Sequence, residues 1–228
     1  MPKVVDSTGY EKTTALPNVN SLSEVGAALT DYIAIGDTSD GGNAKKTLVS
    51  SVLGLGDWAL LATATASADA TVDFTGLSST YAAYMVIYAH VAPATDAVLL
   101  NLRTSTDGGA TYDAGASDYS WVSFVTSTAP ATGQIVDGAD AQITIGANSL
   151  GNAANETNSG CVWLFNLSSA NYGTVYYESS GRDSLGRLVG VYGTGQRLSA
   201  ANVDAIRFMF SSGDITSGEF RLYGLINT

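Results

Sequence analysis

The sequence predicts a mainly β protein, an antiparallel β-sandwich or jelly roll preceded by a small N-terminal module. Two observations indicate this fold. Segments rich in aromatic and β-branched residues, several of them alternating apolar with polar residues, recur from residue 70 to the end of the chain. Glycine, asparagine, aspartate and serine separate these segments, and no stretch has the helical period needed for a crossover between parallel strands. We therefore expect antiparallel pairing.

The basic residues divide the chain into two zones. All four lysines precede residue 58, and all six arginines follow it. Gly54 and Gly56 loosen the backbone between the two zones. We therefore predict an N-terminal attachment module at residues 1–57 and a β-sandwich domain at residues 58–228.

The first zone contains signals for only a few short elements. Its apolar residues are too few to close a core, so we expect contacts with other chains to order it. In chain order, the predicted elements are a helical turn behind the capping-box sequence 21–24, a strand at 32–35, a turn at 37–43, a strand at 45–49 and a helical turn at 49–55.

The second zone is a series of strand signals with turn residues between them. In the last two segments the apolar residues alternate, which predicts one buried face for Ile206, Phe208 and Phe210 and another for Phe220 and Leu222, with Arg207 and Arg221 on the opposite faces. The predicted strands are 70–75, 84–91, 97–104, 119–126, 141–145, 161–167, 174–179, 185–192, 203–210 and 218–226.

Charge and composition exclude several classes of function. The net charge is −11 and the sequence pI is about 4.2, whereas a nucleic-acid-binding protein is expected to be basic. No apolar stretch is long enough to span a membrane. The first residues lack the apolar stretch of a signal peptide, so we expect synthesis in a cytoplasm, where the protein either stays or from which it leaves by a route other than secretion.

The single cysteine and single histidine limit the chemistry of the chain. Cys161 cannot form an intramolecular disulfide, and His90 cannot belong to a site with several histidines. We expect Cys161 to be a small buried residue and His90 to be a core or edge residue. The sequence predicts no metal site and no cofactor.

One local motif, Ser105–Tyr112, resembles the Asp-box, Ser-x-Asp-x-Gly-x-Thr-Trp, with tyrosine in the tryptophan position. Asp107 can accept hydrogen bonds from the backbone ahead of it, Gly109 can adopt a positive φ, and Thr111 can lock the loop. In sialidases and related propellers the box is a repeated structural turn remote from the catalytic centre. The resemblance therefore implies a hairpin turn formed by Ser105, Asp107, Gly109 and Thr111, with the aromatic ring packed beneath it.

Four carboxylates follow this motif. Pairs of carboxylates can act as general acid and base in glycoside hydrolysis, or they can bind calcium. Aspartate is also common in β-turns, so we expect turn-forming roles and predict no catalytic residue. The four are Asp113, Asp118, Asp137 and Asp140.

Aromatic residues in the loop-rich parts of the second zone are candidates for contact with a ligand. Tyrosine and tryptophan offer flat faces for sugar rings and rigid anchors for proteins, although core packing is an equally good interpretation for each one. The candidate receptor contacts are Tyr112, Tyr119, Trp121, Tyr172 and Tyr192.

Two sets of segments resemble structural proteins of tailed bacteriophages. Residues 28–37 and 45–53 resemble the N-terminal module of many fibre and virion proteins. Segments at 73–77, 103–109, 203–208 and 218–224 resemble a β-sandwich domain of phage and prophage structural proteins. The resemblance implies a virion component, a homotrimeric fibre or a decoration protein, whose partners are other virion proteins and copies of itself.

Three functions are therefore expected from the sequence. In the first, residues 1–57 dock on the particle and the sandwich contacts a host-surface glycan. In the second, the protein is a capsid decoration or head-fibre protein that only stabilises the shell. In the third, it is a small glycan-degrading tail enzyme that uses a pair of carboxylates. An aromatic patch without such a pair favours the first.

Overall fold

In the computed structural model, the chain is described at residues 58–128, 133–146, 149–167 and 171–226, together with four short strands before residue 50. It forms two compact units, Met1–Gly56 and Asp57–Thr228. Within the described residues, no helix is long and apolar enough to cross a membrane.

The first unit contains two antiparallel strand pairs. Strand β1 (Val4–Val5) pairs with β2 (Glu11–Lys12), and β3 (Tyr32–Gly36) pairs with β4 (Ala44–Leu48). The strands predicted at 32–35 and 45–49 are confirmed to within one residue. The helical turns predicted at 21–29 and 49–55 lie outside the described residues.

The second unit contains twelve described strands and is built as two antiparallel sheets. The strands are β5 (Trp58–Ala66), β6 (Val72–Thr75), β7 (Tyr81–Pro93), β8 (Leu100–Ser105), β9 (Tyr119–Ser127), β10 (Gly133–Asp140), β11 (Ile143–Thr144), β12 (Asn158–Phe165), β13 (Thr174–Arg182), β14 (Leu188–Arg197), β15 (Ala205–Phe210) and β16 (Ile215–Ile226).

The larger sheet has eight strands in the order β10-β9-β14-β13-β12-β7-β16-β5, and the smaller sheet has four in the order β11-β8-β15-β6. Every strand pair is antiparallel. The predicted antiparallel β-sandwich is confirmed. All ten predicted strands are present, and the two that the sequence did not predict, β5 and β10, are the two edges of the larger sheet.

The core lies between the two sheets. Phe208 of the smaller sheet packs against Phe220 and Tyr88 of the larger one, with ring centroids 5.2 and 6.4 Å away. The predicted alternation is confirmed, because Ile206, Phe208, Phe210, Phe220 and Leu222 are all buried. Arg207 instead forms two hydrogen bonds with Asp73, and Arg221 pairs with Glu219.

The Asp-box does not lie in a hairpin, contrary to the expectation from its sequence. Strand β8 precedes it in the smaller sheet, and β9 follows it in the larger sheet. The segment 106–118 is therefore a connection between sheets. Local turn chemistry was correctly predicted, but the partner of each strand depends on contacts distant in sequence.

Candidate binding surface

The outer face of the larger sheet, which points away from the core, is unusually aromatic. Side chains alternate along each strand, so the residues between the buried positions point outward. Phe124, Tyr176 and Tyr192 are such residues, and they are 38, 42 and 49% exposed. The outer face of an antiparallel sheet is normally polar, so three exposed rings on neighbouring strands require an explanation.

These rings form cross-strand pairs. Tyr192 lies opposite Phe124, with centroids 5.4 Å apart and ring planes inclined by 33°. On the next two strands, Tyr176 lies opposite Trp163, with centroids 5.2 Å apart. Cross-strand aromatic pairs stabilise a sheet, and they also hold their own faces in fixed orientations. The outer face therefore presents rigid, pre-organised rings.

Four adjoining hollows follow strand β14 across this face; we call them together the trough. Their volumes are about 400, 430, 450 and 390 Å³. Tyr192 lines both the first and the second hollow, and Val122 and Thr194 line both the second and the third. Thr174 and Gln196 line both the third and the fourth. The shared residues show that the hollows are continuous.

Alternating residues of β14 form the floor of the trough. Gly190, Tyr192, Thr194 and Gln196 are the outward positions, since Val189, Val191, Gly195 and Arg197 are buried. At roughly 3.3 Å per residue, the distance from Gly190 to Gln196 is about 20 Å. A glycine and a threonine on either side of Tyr192 leave space that larger side chains would fill.

The lining of the trough is uncharged apart from two carboxylates. Gln134, Thr194 and Gln196 supply amide and hydroxyl groups beside the rings. Asp137 and Glu178 are the only charged residues among the described lining, which includes no lysine and no arginine. Flat rings beside hydrogen-bonding groups are suited to a ligand with apolar faces and many hydroxyl groups.

Three of the five predicted receptor contacts lie along the trough. Tyr192 is at its centre, and Tyr172, 43% exposed, is at the end of the fourth hollow. Trp121 packs partly against the core, lines the third hollow and donates a hydrogen bond from Nε1 to Asp140, 2.9 Å away.

Tyr119 is not a surface residue, so its prediction as a receptor contact is wrong. Its side chain is fully buried, because the first residue of β9 faces the core. Its hydroxyl oxygen lies 2.8 Å from the Thr104 backbone nitrogen, which donates to it. Burial raises the pKa of Tyr119 above its ordinary value, although hydrogen bonds from Thr104 oppose the change.

Tyr112 lies outside the trough, beside the smaller sheet. The Arg207 guanidinium carbon is 4.0 Å from the centroid of its ring, and Arg207 is itself held by Asp73. The pKa of Tyr112 is raised to about 12, first by burial and then by the nearby Asp73 carboxylate. A cation–π contact and an ion pair fix this ring, so Tyr112 acts as a packing residue of the Asp-box loop.

The Asp-box forms the compact turn expected from its sequence. Asp107 accepts hydrogen bonds from the hydroxyl and amide of Thr111 at 2.6 and 2.9 Å, and from the Ser105 hydroxyl at 2.7 Å. Gly109 has φ +87°. These donors, with the Thr111 hydroxyl first, lower the pKa of Asp107 to about 2. Both carboxylate oxygens of Asp107 accept hydrogen bonds from within the loop, and the Gly108 amide donates to Asp204 outside it, 2.9 Å away.

The four carboxylates considered for catalysis or calcium binding each accept a hydrogen bond from another group of the protein. The nearest donors are Arg197 for Asp113, the Gly115 amide for Asp118, the Ala139 amide for Asp137, and the Trp121 indole and Ala141 amide for Asp140. Among the described residues, no three acidic, histidine or cysteine side chains converge on a possible metal position.

His90 and Cys161 differ from their predicted environments. His90 is exposed, with φ +54°, at an irregularity in the pairing of β7 with both its neighbours. Its backbone nitrogen donates to the Ser159 hydroxyl at 3.0 Å. Cys161 is only partly buried and lines the first hollow, and burial raises the pKa of its thiol to about 12.

The predicted receptor contacts omit three residues of the surface, Phe124, Trp163 and Tyr176. These three lie in regular strands, whereas the predicted contacts were chosen from the loop-rich parts of the chain. The sequence feature that could have identified such residues is the alternation of side chains between the two faces of a strand. Tyr176 stands between Val175 and Tyr177, which are both buried, so it points outward. Comparison of the chain with known protein families, curated proteins and solved structures finds no match.

Proposed function

We propose that this chain is a structural protein of a tailed-phage particle, a fibre or tail component that binds a glycan on the host surface. Residues 1–57 attach it to other virion proteins, and the β-sandwich projects outward as part of a homotrimer. The virion context rests on the sequence resemblance. The binding role rests on one structural observation, the aromatic trough on the outer face of the larger sheet.

The ring pairs support a role in binding. Side chains held in fixed orientations lose little conformational entropy when a ligand stacks on them. Exposed aromatic faces also have an energetic cost in water, which is recovered when a sugar face or another apolar surface covers them. Both properties favour binding over a purely structural role for Tyr176 and Tyr192.

The positions and contacts of the carboxylates favour a binding protein over a glycan-degrading enzyme. The two carboxylates of the trough, Asp137 and Glu178, line different hollows, so no hollow holds a pair among its described lining residues. A general acid and its partner must face the substrate with their reactive oxygen atoms accessible. Asp113 is instead bonded to Arg197, and Asp140 to Trp121. These hydrogen bonds stabilise loops.

Adsorption of particles to host cells tests the proposal. Particles that carry Tyr176→Ala or Tyr192→Ala should adsorb more slowly than the parent. Particles that carry Tyr223→Ala, which changes the same outer face outside the trough, should adsorb normally. Normal adsorption by all three, with the trimer intact, would exclude host contact through the trough and would favour the capsid decoration function.

A further inference from the structure

We infer that the trough binds an extended stretch of an unbranched, uncharged polysaccharide, rather than a single sugar. This inference rests on the proposed function and specifies its ligand. It is drawn from the length of the trough, the small residues at one end and the charge of its lining.

Length is the first argument. The four hollows are continuous and follow β14 for about 20 Å at roughly 3.3 Å per residue, and each has the volume of a small binding pocket by itself. A compact ligand would occupy one hollow and leave the others without a role. A linear chain of similar units, one in each hollow, occupies all four.

The residues at one end of the trough provide the second argument. Thr126, Ser159, Ser180 and Gly190 line the first hollow, and all are small. A site for a chain end requires a wall across the path of the ligand, and these residues are too short to form one. The path is therefore open through the first hollow, and beyond it the next outward residue of β14 is Leu188, which is 52% exposed.

Charge is the third argument. Asp137 and Glu178 are the only charged groups among the described lining residues, and the whole chain carries a net charge of −11. A polysaccharide with carboxylate, sulfate or phosphate groups would be repelled both at a distance and in the trough. Carboxylates and the side-chain amides of Gln134 and Gln196 can instead bond to neutral sugar hydroxyls.

The position of each ring along the trough makes the inference specific. Tyr192 lines both of the first two hollows, so an oligosaccharide bound in either of them should contact it. Tyr172 lines only the fourth hollow, so only a longer oligosaccharide should reach it. Tyr192→Ala should weaken binding at every length, whereas Tyr172→Ala should remove only the gain from the last unit.

Calorimetry of the full chain with defined oligosaccharides tests the inference. The probes are neutral gluco-, galacto- and manno-oligosaccharides from disaccharide to octasaccharide, with hyaluronan oligosaccharides as the acidic comparison. For at least one neutral series, affinity should rise about fivefold for each unit that reaches a further ring, and then remain constant once the trough is full. For Tyr172→Ala, the affinity should stop rising one unit earlier. For Tyr223→Ala, the affinities should equal those of the parent.

Several results would overturn the inference. These are affinity independent of length, stronger binding of the acidic series, or no binding of any neutral series. If one of them occurred while particle adsorption still depended on Tyr192, the ligand assignment would be wrong and the proposed function would stand. Adsorption independent of both Tyr176 and Tyr192 would refute the proposed function itself.

Discussion

The ring of Tyr177 lies across Gly193 of the neighbouring strand, where a Cβ would come within 2.6 Å of the tyrosine hydroxyl oxygen. The same arrangement recurs nearby, where Tyr88 covers Gly160 and a Cβ would again lie 2.6 Å from the hydroxyl oxygen. Both rings are buried on the inner face. Two tyrosines thus fill the space that two glycines leave, beneath the strands that carry the trough.

Gly193→Ala should therefore destabilise the sandwich. The added methyl group would meet both the Tyr177 hydroxyl and the Val122 carbonyl oxygen, 2.5 Å away, and the backbone cannot easily move. We expect a loss of roughly 2–3 kcal/mol in the free energy of unfolding, as for other overpacked sites. Chemical denaturation measures it. Gly133→Ala, where no atom lies within 4 Å, is the control and should change stability little.

Arg197 and Asp113 form an ion pair that holds the loop between the sheets. Arg197 Nε lies 2.6 Å from Asp113 Oδ2, and the Arg197 side chain is only 9% exposed. Asp113→Ala would leave this guanidinium partly buried without its carboxylate. We expect the free energy of unfolding to fall by about 3 kcal/mol. Replacing both residues by apolar ones should cost less than Asp113→Ala alone. A loss for the double variant equal to the sum of the losses for the two single variants in denaturant titrations would show that the pair is not coupled.

The Asp-box predicts a specific dependence on pH. Because the pKa of Asp107 is lowered to about 2, its carboxylate stabilises the fold fully above its ordinary pKa of about 4. This contribution is lost as the pH falls from about 4 through 2. The melting temperature of Asp107→Ala should therefore lie below that of the parent at neutral pH, and the difference should shrink in acid. A difference unchanged across this interval would contradict the assignment.

Asp107→Ala should also leave ligand binding unchanged, because the Asp-box lies outside the trough. A variant of normal stability that no longer adsorbed would move the binding site to this loop.

Deletion of residues 1–57 tests the proposed attachment role. The second unit has its own core between two sheets, so residues 58–228 should remain folded by circular dichroism and cooperative unfolding. The truncated protein should not be incorporated into particles. Normal incorporation, measured on purified particles, would show that attachment resides in the sandwich.

The sequence predicted every strand of the smaller sheet and every inner strand of the larger sheet, but not the two edges of the larger sheet. Strand β7 was predicted from its long apolar run, which is typical of a strand that lies between two others, as β7 lies between β12 and β16. In β10 the residues on both faces remain at least partly exposed, so no apolar pattern marks it. In β5 alanine and threonine dominate, and they have weak or mixed strand signals.

The candidate surface was only partly predictable for a related reason. Strand faces are assigned from alternation, and alternation identifies the core face only when the opposite face is polar. In β9, Tyr119 points inward and Phe124 outward, and both are aromatic. The sequence alone therefore could not distinguish the buried ring from the exposed one. Because the outer face proposed to bind the ligand is itself apolar, the sequence pattern does not show which residues of these strands face the core.

Equilibrium binding of the purified protein, in the trimeric form proposed for it, to the host cells of the proposed particle tests the central claim most directly, because a multivalent form magnifies weak single-site contacts. The decisive comparison is the double variant Tyr176→Ala/Tyr192→Ala against Tyr223→Ala, each with a parental melting temperature. If the trough is the receptor site, the double variant should bind at least tenfold more weakly than the parent, and Tyr223→Ala should bind as the parent does. Equal binding by the double variant and the parent would contradict it.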